Sequence, residues 1–102
     1  MRKITREAIK QYASSVKVYY RGMRYYAAHA VSNVTWNDSI KQYKGIVKGS
    51  NQYIVTVQVE EDGNMIYSCN CPSHVKLSGA CKHVIAMMLF IADYQQREDA
   101  KV

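Results

Sequence analysis

The sequence predicts an α+β fold, with an N-terminal helix, an antiparallel sheet of three to four strands and a buried C-terminal helix. Three stretches indicate this. Residues 4 to 15 have apolar positions at helical spacing, residues 53 to 59 alternate with a period of two, and residues 81 to 94 are apolar without alternation. The chain has 102 residues, of which 48% are hydrophobic. That size and composition are typical of one small globular domain, so we expect residues 1 to 102 to form a single domain.

The first predicted element is a helix in residues 4 to 15. Apolar or small residues recur there at helical spacing, at Ile4, Ala8, Ile9, Tyr12 and Ala13. Thr5, followed by Glu7 and Ala8, lacks a clean capping box, so the pattern does not fix where the helix begins. From Val16 to Cys71 the signals change, and we expect strands throughout that stretch.

The most regular strand is predicted at residues 53 to 59, where β-branched and aromatic residues alternate with others. Turn residues lie on both sides of it, including the Asp62-Gly63 pair, which is suited to a hairpin. Because these loops are short, we expect antiparallel neighbours at about residues 40 to 48 and 65 to 69.

An earlier strand is predicted at about residues 27 to 36. Its apolar residues Val31, Val34 and Trp36 do not share one parity. This irregularity favours a β-bulge near Ser32 and Asn33.

The last predicted element is a helix in residues 81 to 94. The run is long, apolar and without alternation, which favours a largely buried helix over a strand. Its longest continuous apolar part, Val84 to Ala92, is much shorter than the roughly 20 residues that cross a bilayer. The N-terminus has no secretion signal pattern, and three cysteines cannot all pair within one chain. We therefore expect a cytoplasmic protein without a membrane partner.

Two pairs of potential metal ligands flank a predicted loop at residues 72 to 79. Cys69 and Cys71 form a Cys-x-Cys pair, and Cys81 and His83 form a Cys-x-His pair nine residues later. Three thiolates and one imidazole complete the tetrahedral ligand set of a structural zinc site, whereas a catalytic zinc keeps one position open. We therefore predict one zinc ion per chain, which joins the end of the last hairpin to the start of the C-terminal helix.

The two pairs require different local geometry. Residues two apart in an extended segment project to the same side, so Cys69 and Cys71 can lean towards one ion. Residues two apart on a helix do not face each other. Cys81 should therefore precede the first helical turn, with His83 reaching back from inside it. The negative charge of three thiolates on one zinc suits a helix N-terminus.

Other interpretations of the cysteines have less support. A buried cysteine often acts only as a small apolar residue, but here every cysteine falls within 13 residues. A redox role lacks a Cys-x-x-Cys motif, and a catalytic zinc lacks the deaminase and His-Glu-x-x-His patterns. His74 lies in the loop as a possible competing ligand, although a loop histidine is more often solvated.

The ligand pattern resembles the SWIM zinc finger, a compact β-β-α metal module. Three flanking segments are similar to the region around this finger in bacterial SNF2-type helicases. They are residues 21 to 26, residues 47 to 50 with Tyr53, and residues 81 to 83 leading into the helix. The resemblance covers about residues 20 to 92, with the finger core at about residues 53 to 95. It implies contact with DNA or with proteins and no catalytic step. No P-loop motif occurs, so the resemblance implies an accessory role to an SNF2-type ATPase in cis or in trans.

Positive charge is concentrated in the first half of the chain. Residues 1 to 48 contain ten Lys or Arg residues against two acidic ones, and residues 49 to 102 contain four against six. Uneven basic charge interleaved with tyrosines is typical of a surface that contacts a nucleic-acid backbone. The predicted contact residues are Arg21, Arg24, Lys41, Lys44, Lys48 and Lys82.

These observations favour a non-catalytic zinc module that contacts DNA or single-stranded nucleic acid. The alternative is a zinc-stabilised protein-interaction module without direct nucleic-acid contact, because solvated lysines and a net charge of +6 also suit solubility alone. We expect neither enzymatic activity nor a small-molecule substrate.

Overall fold

The fold was analysed in a computed structural model, which describes residues 3–72 and 79–100, without the side chains of the last three. Three helices and four strands follow one another along the described chain. In order they are α1 (Arg6–Tyr12), α2 (Val16–Ala27), β1 (Val31–Asn37), β2 (Gln42–Lys48), β3 (Gln52–Val59), β4 (Met65–Cys69) and α3 (Lys82–Ala100). The predicted α+β class, with an antiparallel sheet followed by a buried helix, is confirmed.

The four strands form one antiparallel sheet in the order β1-β2-β3-β4. Tyr43 lies opposite Val57, and Val57 lies opposite Tyr67, so these three side chains share one face of the sheet. That face is the inner one, since Tyr43 and Val57 are buried. The opposite face is open to solvent, where Ile54 and Ile66 are exposed.

Strand β1 contains the predicted irregularity. Its register with β2 shifts between Ser32 and Thr35, and Asn33 has a φ of 54°. Asparagine is one of the few residues other than glycine that adopt this left-handed conformation readily. The extra residue therefore forms a β-bulge near Ser32 and Asn33, as the sequence predicts.

Helix α3 forms the centre of the hydrophobic core. It contacts β2, β3 and β4 and also packs against α1 and α2. Six consecutive residues, Val84 to Leu89, are therefore fully buried on every side of the helix. Burial of each large apolar side chain stabilises the fold by roughly 1.5–3 kcal/mol. The same burial explains why the sequence of this helix shows no polar face.

Helix α2 corrects the prediction that residues 16 to 71 form only strands. Ser15 caps it, because the Ser15 side chain accepts a hydrogen bond from the Val18 backbone N–H. Tyr19 and Gly22 are buried on its inner side. The valines and tyrosines of this segment have weak intrinsic helix propensity, and packing against α3 outweighs that preference.

Gly22 explains how α2 approaches α3 so closely. A Cβ atom added there would lie 2.5 Å from Ile85 Cγ2 and 3.0 Å from the Lys82 carbonyl oxygen. No real side chain fits in that space, so the glycine provides a contact surface for Ile85. The role of this glycine is close helix packing, which a strand prediction for residues 16 to 71 does not anticipate.

Helix α1 is shorter than the predicted range of residues 4 to 15. Thr5 caps it by accepting a hydrogen bond from the Ala8 backbone N–H. After Tyr12 the chain becomes extended, and Ala13 forms an isolated parallel bridge with Ala80. In the described part of the chain, no helix has the length and apolar character needed to cross a membrane.

Candidate metal centre

The four predicted zinc ligands converge at the junction of β4 and α3. Cys69 is the last residue of β4, and Cys71 follows two positions later. Cys81 immediately precedes α3, and His83 lies in its first turn. The donor atoms of all four residues lie within 4.8 Å of one another. The junction therefore brings together two pairs that are ten residues apart or more in sequence.

The spacing of the donor atoms fits a tetrahedral zinc ion. The Cys71 and Cys81 Sγ atoms are 3.8 Å apart, and His83 Nδ1 is 3.8 Å from Cys69 Sγ and 3.9 Å from Cys81 Sγ. Zinc–sulfur bonds of about 2.3 Å at tetrahedral angles place two sulfur atoms roughly 3.8 Å apart. All four residues are buried, none more than 8% exposed. The Cys₃His donor set holds one zinc ion per chain.

His83 is oriented by two tyrosines. Its ring stacks on Tyr53, with centroids 4.4 Å apart and planes inclined by 30°. Tyr25 lies on it as well, with centroids 5.3 Å apart. The contacts leave Nδ1 facing the cysteines. Such contacts outside the ligand shell hold a histidine in the orientation that binds the metal.

Gly49 completes the surroundings of His83. A Cβ at this position would lie 3.2 Å from the Tyr25 hydroxyl, 3.3 Å from His83 Nε2 and 3.4 Å from Tyr53 Cε2. The turn between β2 and β3 therefore packs directly against the imidazole. A side chain there would press on the ring from the side opposite to the metal donors.

The thiols of the cluster do not share one ionisation behaviour before metal binds. The pKa of Cys81 is lowered to about 3, first because the Cys69 thiol donates a hydrogen bond to it, while burial opposes the shift. Hydrogen bonds from His83 and from the backbone N–H groups of Val84 and His83 lower the pKa further. The pKa of Cys69 is raised, because the hydrogen bond to Cys81 and burial both favour its neutral form. Zinc binding therefore has to displace the Cys69 proton.

Residues 55–92 match the family model of the SWIM zinc finger. This segment is therefore similar to a SWIM zinc finger, and it is called the SWIM finger below. The match contains all four ligands and joins the end of β3, β4 and most of α3. It covers less than half of the chain, and α1, α2, β1 and β2 lie outside it. No curated protein and no solved structure matches the chain. SWIM fingers are non-catalytic binding modules, and the zinc-binding part of the predicted function is thereby supported.

The basic residues predicted to contact nucleic acid lie on different parts of the molecule. Arg21 and Arg24 are exposed on α2, which is outside the SWIM finger. Lys44 and Lys48 are exposed on β2, where they alternate with the buried residues of the inner sheet face. Lys41 forms an ion pair with Asp38 at 2.9 Å in the turn between β1 and β2. The six residues therefore do not form one continuous surface, and their contacts with nucleic acid stay a prediction.

Lys82 connects the SWIM finger to α2. It lies between the two ligands Cys81 and His83, and its Nζ is 5.8 Å from the centre of the Tyr25 ring. Its carbonyl oxygen is also close to Gly22. The cation thus lies beside α2 rather than on the sheet.

Sequence reasoning missed several residues around the site. Tyr25 and Gly49 contact His83, but both come from elements distant in sequence from the ligands. The sequence analysis names Tyr53 as a strand residue and in the flanking resemblance, and its shared parity with Val55 and Val57 indicates that its ring faces the core. Lys17 is absent from the predicted contact residues, because its alignment with Arg21 and Arg24 appears only when residues 16 to 27 are helical. His74, the possible competing ligand, lies outside the described residues.

Proposed function

We propose that this chain is a non-catalytic zinc-stabilised module that contacts DNA or single-stranded nucleic acid, accessory to an SNF2-type ATP-dependent helicase. In this proposal the zinc has a structural role. It holds the end of β4 against the start of α3, and the surrounding surface makes the contact. The helicase supplies the motor, in cis or in trans, and acts in the cytoplasm.

The placement of charge is the observation that supports nucleic-acid contact. Five exposed cations lie between residues 16 and 48 without an ion pair to any described carboxylate, and these are Lys17, Arg21, Arg24, Lys44 and Lys48. Most of the described acidic residues lie at the turns of the sheet, where Asp38 pairs with Lys41 and Glu60, Glu61 and Asp62 follow β3. Separated positive charge is the arrangement that binds phosphates by releasing condensed counterions.

The experiment is a salt titration of binding. Zinc-loaded full-length protein is mixed with a fluorescently labelled 20-base-pair duplex or its single strand, and anisotropy is measured from 20 to 300 mM salt. We expect affinity to fall linearly in log salt, with a slope of about −0.9 per phosphate contacted on duplex DNA. Absence of binding to both probes at the lowest salt would contradict the proposal.

A protein partner is the second candidate, because of one apolar groove. Trp36 and Tyr94 are exposed beside Phe90 and Tyr43, and together with Val34 and Ile91 they line a cavity of about 180 Å³ between β1 and α3. Exposed aromatic side chains around a cavity are typical anchor sites at protein interfaces. Salt-independent retention of a helicase fragment, with no affinity for either DNA probe, would favour this candidate.

A further inference from the structure

We infer that helix α2 is the surface that contacts nucleic acid and that its partner is duplex DNA. This inference rests on the proposed nucleic-acid binding and names the surface responsible for it. The helix lies outside the segment that matches the SWIM finger, so nothing in the family match assigns it a role.

The outer face of α2 carries a row of cations. Lys17, Arg21 and Arg24 are all exposed. At 3.6 residues per turn they fall within an arc of about 60° around the helix axis, and they span about 10 Å along it. No acidic residue occurs in α2, and none of the three cations pairs with a carboxylate among the described residues. The positive charge of this face is therefore not neutralised within the described structure.

The opposite face of α2 is fixed to the core. Gly22 contacts Ile85 too closely to admit a side chain, and Tyr19 is buried. Tyr25 lies between the two faces, and its ring packs against the zinc ligand His83. These contacts prevent the helix from rotating about its axis, so the cations face solvent in a fixed register. Binding groups on such a rigid element lose little conformational entropy when a partner arrives.

Lys82 extends the basic face beyond α2. Its side chain lies over Tyr25, and Tyr25 is one turn along α2 from Arg21. The backbone of Lys82 is close to Gly22. The finger thereby contributes a fourth cation beside the three of α2.

The shape and chemistry of the two candidate surfaces favour a duplex. An exposed helix face fits the major groove of B-DNA, which is about 12 Å wide. Single-stranded nucleic acid is instead bound by exposed aromatic rings on which bases stack. The open sheet face carries Lys44 and Lys48 beside Ile54, Thr56 and Ile66 in its described part, and no aromatic side chain there points to solvent. The sheet also ends in the acidic turn of residues 60 to 62, which repels phosphates.

The test compares two variants that each lose three positive charges. One is Lys17→Ala/Arg21→Ala/Arg24→Ala on α2, and the other is Lys41→Ala/Lys44→Ala/Lys48→Ala on and before β2. Binding of the zinc-loaded full chain to the 20-base-pair duplex is measured against salt, with zinc content and circular dichroism as checks of folding. We expect the α2 variant to lose affinity on the order of 10²-fold and to lower the magnitude of the salt slope by about three, one for each lost phosphate contact. The β2 variant should change the slope by less than one.

The other outcomes separate this inference from the proposed function. If the wild-type protein binds neither duplex nor single strand, both the function and the inference are wrong. If it binds duplex but the β2 variant loses as much affinity as the α2 variant, or more, the function stands and α2 is not the contact surface. Preferential binding of single strand that survives the α2 substitutions also overturns the inference.

Discussion

Two junctions attach chain segments to helix α3, and they use different interactions. At the first, Cys69 and Cys71 at the end of β4 meet Cys81 and His83 at the start of α3 around a zinc ion. At the second, α2 packs closely against the same helix because Gly22 has no side chain. The first junction requires particular residue types at fixed spacing, whereas the second depends mainly on a shape that fits Ile85. The metal junction is therefore recognisable in sequence, and the packing junction is not.

The largest effect is expected from breaking the metal junction. Chelation, or Cys71→Ala, should remove the zinc ion and abolish cooperative unfolding, because structural zinc contributes roughly 10–16 kcal/mol of apparent binding free energy in zinc-finger peptides. Zinc content by atomic absorption and near-ultraviolet circular dichroism measure the two effects. His74→Ala is the control and should retain one zinc per chain. A full near-ultraviolet signal after metal removal would show that zinc is not needed for folding.

The next largest effect is expected at the packing junction. Gly22→Ala places a methyl group where Ile85 and the Lys82 carbonyl leave no room, and overpacking of this kind costs about 1–3 kcal/mol. The gain in helix propensity of up to about 1 kcal/mol offsets only part of this cost. Urea unfolding should therefore show lower stability. Gly49→Ala, whose new Cβ meets neighbours only at 3.2 to 3.4 Å, is the matched control with a smaller loss. Equal stability of Gly22→Ala and the wild type would exclude a close approach of α2.

A hydrogen bond on the same packing junction should have a more moderate effect. The Tyr26 hydroxyl donates to the Asp93 carboxylate, which joins α2 to α3, so Tyr26→Phe should cost about 1–2 kcal/mol. Tyr20→Phe is the control, because this tyrosine is exposed on the same helix and 53% of it is accessible. Chemical unfolding at pH 7 gives the comparison, and similar losses from both substitutions would contradict it.

The same tyrosine should also make the stability of the protein fall at alkaline pH. Burial, and then the hydrogen bond to Asp93, raises the pKa of Tyr26 above its ordinary value of 10.0. The unfolded chain therefore ionises this group first as pH rises. The stability that depends on neutral Tyr26 is complete below pH 10 and is lost as pH increases from there through the raised folded value. The free energy of unfolding of Tyr26→Phe, measured by urea titration at each pH, should therefore fall less steeply in that range than that of the wild type.

The smallest effect is expected where the two junctions meet, at the rings around His83. Tyr53→Leu removes a stacked ring and should cost about 0.5–1.5 kcal/mol, which corresponds to a loss of zinc affinity of roughly 2- to 10-fold. Competition with a chromophoric chelator measures this change. Tyr94→Leu, remote from the ligands along α3, should leave zinc affinity unaltered. An unchanged affinity for Tyr53→Leu would mean that the ring does not orient His83.

The sequence predicted the parts of the fold that depend on local pattern. Strand β3 and the hairpin to β4 follow from alternation and an Asp-Gly turn, and the bulge near Asn33 follows from a break in parity. The ligands follow from the chemistry of zinc, which accepts few donor types at few spacings. In each case the information lies within about 15 residues.

The parts that could not be predicted depend on contacts between distant segments. Residues 16 to 27 are rich in valine and tyrosine, which favour strands in isolation, and the Ser15 cap together with packing against Ile85 and its neighbours makes them helical. The contact of Tyr25 with His83 joins residues 58 positions apart. The pattern of residues along the chain gives no indication of such a pair, so the residues that surround the metal could not all be predicted.

The burial of α3 on every side has a consequence for any attempt to isolate residues 55–92. A fragment with these limits would retain all four donors, but it would lack α1, α2, β1 and β2, which cover much of that helix. Val84 to Leu89 would then be partly in water, and an uncovered apolar patch of this kind promotes aggregation. A transplanted fragment would bind its ion and still precipitate unless the host supplied a new apolar partner for the helix.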